Sequence, residues 1–387
     1  MPDVARVVRD YRRSAIRVLF DEASRTEGAL RLEVGEPSFV TPKHIIDQAL
    51  RAARQGHTGY GPNGGLLSLR ELLSEKLSQV NGMTAGVDEI VVCPGGMNAL
   101  YNSFAVLIEP GDEVLLPTPG FPNMDEMVRL LGGVPRFYRL RPENGFLPDF
   151  DELDSLISSK TKVVFSNSPS NPTGRVYPEA VVRGVVEFAD RHDLWLISDE
   201  VYDELVLDPS VVHVPAARFD TAGRVISIFS FSKVYAMTGW RVGYAVARGD
   251  VPQLMRSTQE PQVSCPSTIS QKAAEAALTG PRQPIDAMRH AYVERATLAV
   301  KTAEAAGLRA YEPQGTIYML LDVSDYGSDG GLDFALELLR LQRVSVAPGS
   351  VFGPGGVGTI RVSLAASEST IETGINRIAA HLQEWRR

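Results

Sequence analysis

The chain has 387 residues, of which 44% are hydrophobic and 22% charged, proportions that exclude global disorder and suit roughly two or three domains of ~150 residues. Its 39 basic and 47 acidic side chains give a net charge of −8, so we expect neither nucleic acid nor a membrane as a partner. No apolar stretch approaches the ~18 residues of a membrane span, and two unclustered cysteines, Cys93 and Cys265, favour a reducing, cytoplasmic location.

The middle of the chain alternates short apolar runs with segments of helical periodicity. Buried strands are predicted at residues 89–93, 113–117, 161–165, 194–198 and 225–229. Helices are predicted between several of them, for example at 179–192 and from about residue 98. This alternation is typical of an α/β architecture, in which helices cover both faces of a mostly parallel sheet.

The last hundred residues have a different pattern. Helices at 284–306 and 331–341 flank predicted strands at 317–323, 343–347 and 359–364, and a final helix follows. This arrangement predicts a smaller α+β domain. We therefore expect an N-terminal arm (1–40) that packs with the small domain, a large domain (41–283) and a small C-terminal domain (284–387).

Polar side chains follow three of the predicted central strands. Asn171 comes after the third strand, Asp199 and Tyr202 after the fourth, and Lys233 after the fifth. In open α/β sheets, ligands bind beyond the carboxyl ends of the strands. These four side chains are therefore expected to meet at one edge of the sheet.

Lys233 is set among apolar neighbours such as Phe231 and Val234. An amine that is desolvated in this way becomes nucleophilic towards carbonyl groups, which suggests Schiff-base chemistry. A lysine that extends to the surface from a strand end is the alternative. Asp199 suits a carboxylate that keeps a pyridine nitrogen protonated, although an aspartate at this position is also a common helix N-cap.

Gly95, Gly96 and Met97 follow the first central strand and precede a predicted helix. Backbone amides at a helix N-terminus bind phosphate well, although an ordinary strand-to-helix turn has the same composition.

These segments together resemble the class I/II aminotransferases, which are pyridoxal-phosphate enzymes of fold type I. The stretch 230–244 (Ser-Phe-Ser-Lys-Val-Tyr-Ala-Met-Thr-Gly-Trp-Arg-Val-Gly-Tyr) is similar to the lysine signature of that family. Further motifs match in the family's order, at 35–39, 59–65, 171–174, 199–202 and 361–365. The resemblance runs from about residue 14 to the end, and it implies a large domain with a mostly parallel seven-stranded sheet between helices.

The resemblance also implies the roles of single residues towards pyridoxal 5′-phosphate, and it marks Lys233, Asp199 and Tyr202 as catalytic. Lys233 is expected to hold the cofactor as a Schiff base and to move a proton, and Asp199 to pair with the ring nitrogen. Tyr202 and Asn171 are expected to hydrogen-bond the phenolate oxygen. Phe121, at a position where many relatives have a larger aromatic residue, is expected to stack on the ring.

The phosphate group is expected to bind Ser230 and Arg241, together with the amides of Gly95, Gly96 and Met97. An arginine suits a phosphate dianion because its guanidinium group bonds bidentately.

The resemblance places Arg361 on the substrate α-carboxylate, with Asn171 and Gly35 also in the substrate site. Gly35 has no Cβ and lets its segment pass close to the substrate. Tyr60 is expected to reach the cofactor phosphate of the partner subunit, which implies a homodimer with shared sites.

The expected activity is transfer of an amino group from an L-amino acid to a 2-oxo acid by a ping-pong mechanism. A lyase, synthase or oxidase of the same scaffold is the alternative, because it would use the same Lys233, Asp199 and Arg361.

The donor amino acid stays open at this stage. No arginine is tied by a motif to a second substrate carboxylate, and four aromatic residues are candidates for an apolar pocket: Phe39, Tyr60, Phe121 and Tyr318. This composition favours a neutral or aromatic side chain. The histidines have no paired spacing for a metal, so we expect none.

Overall fold

A seven-stranded sheet forms the centre of the molecule in a computed structural model that describes residues 3–9 and 14–385. The strands of the described residues, in chain order, are β1 Leu30–Arg31, β2 Ile90–Cys93, β3 Glu113–Thr118, β4 Val134–Arg139, β5 Thr161–Asn167, β6 Trp195–Asp199, β7 Val225–Ser230, β8 Gly243–Val246, β9 Arg309–Tyr311, β10 Tyr318–Asp322, β11 Val344–Ser345, β12 Ala347–Pro348 and β13 Thr359–Ser363.

Helices account for most of the remaining regular structure. Those of the described residues are α1 Arg6–Arg9, α2 Ala15–Arg25, α3 Lys43–Arg54, α4 Leu67–Gln79, α5 Gly96–Leu107, α6 Asn123–Leu130, α7 Phe150–Ser155, α8 Glu179–Arg191, α9 Phe231–Val234, α10 Val251–Val263, α11 Thr268–Thr279, α12 Gln283–Ala305, α13 Leu332–Gln342 and α14 Glu368–Trp385. Within the described ranges, no helix is long and apolar enough to cross a membrane.

The central sheet has the strand order β2-β8-β7-β6-β5-β3-β4. Strand β8 runs antiparallel to both β2 and β7, and the other neighbours are parallel. The expected mostly parallel seven-stranded sheet is therefore confirmed, and its five predicted strands lie within two residues of the predicted bounds. Two strands were not predicted: β4 alternates between exposed and buried residues at one edge, and β8 is short.

Both faces of the central sheet are covered by helices, as an almost wholly apolar set of strands requires. Successive residues of a strand point to opposite faces. Ile197 thus packs into a cluster with Leu100 of α5 and Met255 of α10, whereas its neighbour Leu196 packs with Val185 of α8.

A second, antiparallel sheet has the order β12-β13-β10-β9 and packs with α12 and α13 in the C-terminal part of the chain, and α14 packs on these two helices. The single strand expected at 343–347 is divided, because β11 pairs in parallel with β1 while β12 pairs with β13. The pairing of Leu30–Arg31 with Val344–Ser345 joins the N-terminal segment to this region. The division at 40/41 and 283/284 stays a prediction, and residues 1–2, 10–13 and 386–387 of the predicted parts lie outside the described residues.

Candidate active site

A cavity of about 410 Å³ opens where the parallel strands of the central sheet end, and the second sheet forms its opposite side. Most of the site residues predicted from the sequence line this cavity: Gly35, Gly96, Met97, Phe121, Asn171, Asp199, Tyr202, Ser230, Lys233, Arg241 and Arg361. Gly95 lies directly beside the lining residue Gly96. Tyr60 does not line the cavity, and its side chain is 92% exposed.

Lys233 reaches the cavity because strand β7 turns directly into a short helix. Ser230 ends the strand and caps the helix, since its Oγ accepts a hydrogen bond of 3.1 Å from the backbone N–H of Ser232. The lysine lies in the four-residue helix that follows, and its Nζ donates a hydrogen bond to the carbonyl oxygen of Gly35. A primary amine is thereby held at the junction of the two sheets.

Asp199 is the last residue of β6 and is only 4% exposed. Burial raises the pKa of its carboxyl group to about 7. The adjacent Glu200 adds to the increase, whereas the backbone N–H of Val201, 3.3 Å from Oδ1, and the cationic Lys233 oppose it. A carboxylate in this environment is stabilised by any cation that enters the cavity.

Two tyrosines meet at the wall of the cavity that the second sheet supplies. The hydroxyl of Tyr202 donates a hydrogen bond of 3.1 Å to that of Tyr318 on β10. Burial raises the pKa of Tyr202 far above its usual range. Burial also acts to raise the pKa of Tyr318, but the cationic Lys233 and Arg361 outweigh this effect and lower it. Tyr318 is thus the more acidic hydroxyl of the pair.

Arg361 lies on β13 and is 3% exposed. Its Nη1 donates to Oδ1 of Asn171 and its Nη2 to the carbonyl oxygen of Glu33, each at 2.9 Å. The guanidinium carbon lies 4.0 Å from the ring centre of Tyr318, and its buried Nε has no hydrogen-bond partner among the described residues. The guanidinium group is therefore fixed in place, and each Nη keeps a second N–H that can donate to an anion.

An anion-binding cradle lies at the N-terminus of α5. Gly95 caps this helix with a φ of 84°, and a Cβ at this position would collide with the guanidinium group of Arg241. A Cβ at Gly243 would collide with the backbone nitrogen of Gly96. The first amides of a helix have no partner in a preceding turn, so helix amides, the Ser230 hydroxyl and an arginine form one cluster of donors.

Two contributors to the site were not recognised from the sequence. Asn167 ends β5 and bridges two predicted site residues: its Oδ1 accepts from the backbone N–H of Asn171 at 2.8 Å, and its Nδ2 donates to the carbonyl oxygen of Asp199 at 3.0 Å. A polar residue at the end of an apolar strand is the signal that could have identified it. Tyr318 was expected only as an apolar lining residue, and the sequence held no sign of its hydroxyl contact.

The remaining aromatic candidates lie away from the cavity lining. Phe39 packs edge-on against Tyr292 with ring centres 5.5 Å apart. Of the four aromatic residues proposed for an apolar pocket, Phe121 and Tyr318 line the cavity. No group of three or more His, Cys, Asp and Glu side chains within the described ranges is arranged to hold a metal ion.

The donor set fits pyridoxal 5′-phosphate. The cluster of amides, hydroxyl and guanidinium suits a phosphate dianion, and the buried Asp199 carboxylate suits a protonated ring nitrogen. The amine of Lys233 lies in the same cavity and suits an aldehyde carbon. The fold and this site together define a pyridoxal-phosphate-dependent enzyme of fold type I.

Comparison with known proteins identifies the family. The profile of the family "Aminotransferase class I and II" matches residues 27–378. An aspartate aminotransferase of Geobacillus stearothermophilus is 35% identical over 94% of this chain and 95% of its own. Two solved structures, each 36% identical, superpose closely. One is an aspartate aminotransferase mutant of Thermus thermophilus, with a TM-score of 0.92 over 98% of this chain and 100% of that one. The other is an aromatic aminotransferase of Pyrococcus horikoshii, with a TM-score of 0.89 over 95% of this chain and 99% of that one.

The chain therefore belongs to the class I and II aminotransferases. It is an enzyme that depends on pyridoxal phosphate and transfers an amino group between an amino acid and a 2-oxo acid. The alternative of a lyase, synthase or oxidase is not favoured, since the relatives are named as aminotransferases.

Proposed function

We propose that Lys233, Asp199 and Arg361 carry the two half-reactions of this aminotransferase. The observation that supports this proposal is their convergence: a primary amine, a buried carboxylate and a buried guanidinium group line one cavity at the strand ends. Ping-pong kinetics follow, since one cavity serves the amino donor and then the 2-oxo acceptor.

The cofactor site is proposed from the same geometry. Ser230 and Arg241, with the amides of Gly95, Gly96 and Met97, hold the phosphate group. Asp199 pairs with the ring nitrogen, which offsets the cost of burying this carboxylate.

Three further side chains complete the cofactor site. Tyr202 and Asn171 bind the ring oxygen, and Phe121 packs against the ring face. Asn171 is also held by Arg361 through its Oδ1, so the substrate and cofactor sites share one side chain.

Lys233 is proposed to anchor the cofactor covalently and to act as the base. Pyridoxal phosphate supplies a carbonyl carbon that takes up the amino group and a ring that withdraws electrons from the substrate Cα. Whenever it is not bound to the cofactor, Nζ of Lys233 would be a free amine in the same cavity. It would take the proton from the substrate Cα and deliver it to the carbon that takes up the amino group, which is general acid–base catalysis by one atom.

The substrate α-carboxylate is proposed to bind Arg361. Its guanidinium group is fixed by Asn171 and by the Glu33 carbonyl, and the second N–H of each Nη is a donor for the carboxylate. Gly35 borders this space, because a Cβ there would collide with the hydroxyl of Tyr318. The relatives are named for aspartate and for aromatic amino acids, so acidic and apolar side chains are both candidates for the donor.

We also propose a homodimer and a cytoplasmic location. Tyr60 is the basis for the homodimer, because it is exposed, does not line the cavity of its own subunit and is available to a partner. The location rests on Cys93 and Cys265, which are both free, as the reducing cytoplasm requires. We retain the predicted division into an arm, a large domain and a small domain as part of this proposal.

Borohydride trapping tests the role of Lys233. Reduction of the enzyme with its cofactor should fix pyridoxal phosphate to the peptide that contains Lys233, as measured by peptide mass mapping. The variant Lys301→Ala, which removes an exposed lysine elsewhere, should be labelled at Lys233 like the wild type. A label on another lysine, or an unchanged label in Lys233→Ala, would refute the assignment.

A further inference from the structure

One side of the active-site cavity is apolar. Four side chains form this apolar wall: Ile16 from the first turn of α2, Met97 and Leu100 from α5, and Phe121 from the loop after β3. Met97 and Leu100 are three residues apart on a helix and so present the same face. Three separate segments of the chain therefore supply apolar surface to one side of the cavity.

The cations of the cavity are already engaged. Lys233, Arg241 and Arg361 are the basic side chains among the described residues of its lining. Lys233 donates to the Gly35 carbonyl, Arg241 to the Thr238 carbonyl at 2.8 Å, and Arg361 is fixed as described above. Their proposed partners are the cofactor and the substrate α-carboxylate. The described lining that one subunit contributes thus supplies no further cation for a second substrate carboxylate.

The exposed part of the cavity lining includes a carboxylate. Glu36 lines the cavity with an exposed carboxylate, which accepts a hydrogen bond of 2.5 Å from Oγ1 of Thr238. This carboxylate repels a carboxylate on a substrate side chain and leaves an uncharged side chain unaffected.

A second cavity of about 480 Å³ lies behind Phe121, which lines both cavities. The rings of Phe137, Phe165 and Phe352 line this second cavity, and its charged lining side chains among the described residues are the carboxylates of Asp125 and Glu126. The space next to the apolar wall is therefore also aromatic and acidic.

We propose that this aminotransferase accepts amino donors with uncharged, apolar side chains in preference to aspartate and glutamate. The proposal rests on the proposed function, since it takes Arg361 as the site of the α-carboxylate. A side chain of leucine, methionine or phenylalanine loses only water when it packs on the apolar wall. A second carboxylate in that place loses its hydration and gains no cation from the described lining of this subunit in return.

The first half-reaction of the enzyme with its cofactor tests the preference. The loss of the cofactor's visible absorption band is followed by stopped flow with leucine, methionine, phenylalanine, aspartate and glutamate. We expect the apparent second-order rate constant of the best apolar donor to exceed the rate constants of both acidic donors by at least about tenfold.

A ratio of apolar to acidic rate constants below this value, or a preference for an acidic donor, would overturn the proposal. The proposed function would then still stand. If none of the five amino acids reacted, the proposal would also be overturned, whereas the proposed function is decided separately by borohydride trapping at Lys233.

A pair of variants at Ile16 tests the physical cause. Ile16→Lys adds a cation to the apolar wall and should raise the aspartate-to-leucine ratio of rate constants by about tenfold or more. Ile16→Gln, which is polar and of similar length, should lower the rate with leucine without a gain for aspartate. Thermal unfolding of both variants checks that they fold.

An unchanged aspartate-to-leucine ratio in a folded Ile16→Lys enzyme would contradict the role of the wall. An equal rise of this ratio in Ile16→Gln would also contradict that role, because the added charge would then not be the cause of the rise.

Discussion

At the scale of single residues, the site places ionisable groups where burial opposes their charged forms. The pKa of Asp199 is raised from an ordinary 3.8 to about 7, with burial as the main cause, and burial lowers the pKa of Arg361. These costs fall on the protein without its cofactor and substrate. In the proposed roles, a ring cation at Asp199 and a carboxylate at Arg361 would return part of that free energy, so the affinity for both ligands would depend on the cost of burying these two groups.

Asp199→Asn should stabilise the cofactor-free protein at high pH. Because the pKa of Asp199 is raised in the folded state, its carboxyl group contributes favourably to the free energy of unfolding. This contribution is complete below about pH 4 and is lost as the pH rises through about 7. Asparagine does not ionise, so the variant does not lose stability in this way as the pH rises. The cofactor-free variant should therefore unfold at a higher temperature than the wild type at pH 8, and the difference should shrink at pH 5.5, as measured by calorimetry.

The same variant should lose activity when loaded with cofactor, by roughly 10²–10³ in kcat, since a neutral amide does not hold the ring proton. Equal unfolding temperatures at both pH values, or wild-type turnover, would contradict the role given to Asp199.

Arg361→Gln should weaken all amino donors alike. The group it is proposed to bind, the α-carboxylate, is common to every amino acid, and loss of a charged hydrogen-bonding partner should lower kcat/KM by roughly 100-fold. Steady-state kinetics with leucine, phenylalanine and alanine measure the effect. A loss confined to one donor would reassign Arg361 to recognition of the side chain.

At the scale of elements, the candidate site is formed by residues at the ends of strands and the starts of helices. Strand β7 ends in Ser230, whose cap places Lys233, and β2 leads through Gly95 into α5. Both are abrupt strand-to-helix turns that expose backbone N–H groups and a side chain at the same edge of the sheet. The proposed cofactor site is thus built from turns whose geometry the strands fix.

Gly95→Ala should weaken cofactor binding without unfolding the protein. A Cβ at φ 84° adds backbone strain and displaces the Arg241 guanidinium, so we expect the dissociation constant of pyridoxal phosphate to rise by roughly tenfold. Equilibrium dialysis gives the constant. Gly307→Ala is the matched control, because Gly307 has a φ of 75° with no atom within 4 Å of an added Cβ. Equal losses of affinity in both variants would show that the cradle is not involved.

The sequence predicted some elements well because their signal is local. Runs such as 225–229 are apolar and β-branched, and the polar residues that follow, among them Asp199 and Lys233, mark the cavity. Strand β4 was missed because an edge strand has no continuous apolar run. The contact of Tyr202 with Tyr318 joins residues 116 positions apart, and no local pattern encodes such a pairing.

At the scale of the whole molecule, the two sheets supply opposite sides of one cavity. The central sheet brings Lys233 and Asp199, whereas Tyr318 and Arg361 lie on strands of the second sheet. A mostly buried charged cluster lies beside this junction: Glu204 contacts Lys76 of α4, with 3.6 Å between Nζ and Oε1, and it also pairs with Arg282, the residue before α12. The cluster ties the turn after Asp199 to the first helix of the C-terminal region.

Mixed dimers test whether the cavity is completed by a second subunit. Lys233→Ala and Tyr60→Ala should each have low activity as pure proteins. When they are unfolded and refolded together, some dimers combine one intact lysine with the intact Tyr60 of the other subunit. Activity of the mixture should then rise to roughly a quarter of the wild-type value by random assortment. No gain on mixing, with dimers verified by light scattering, would place the action of Tyr60 within its own subunit.

The visible absorption spectrum of the purified enzyme, followed under nitrogen, tests the account most directly. The band of the bound cofactor should disappear on addition of an apolar amino acid such as leucine and return in full when a 2-oxo acid is added. In Lys233→Ala this cycle should be lost. Loss of the band with release of ammonia and no need for a 2-oxo acid, or the same cycle at an unchanged rate in Lys233→Ala, would contradict amino-group transfer through Lys233.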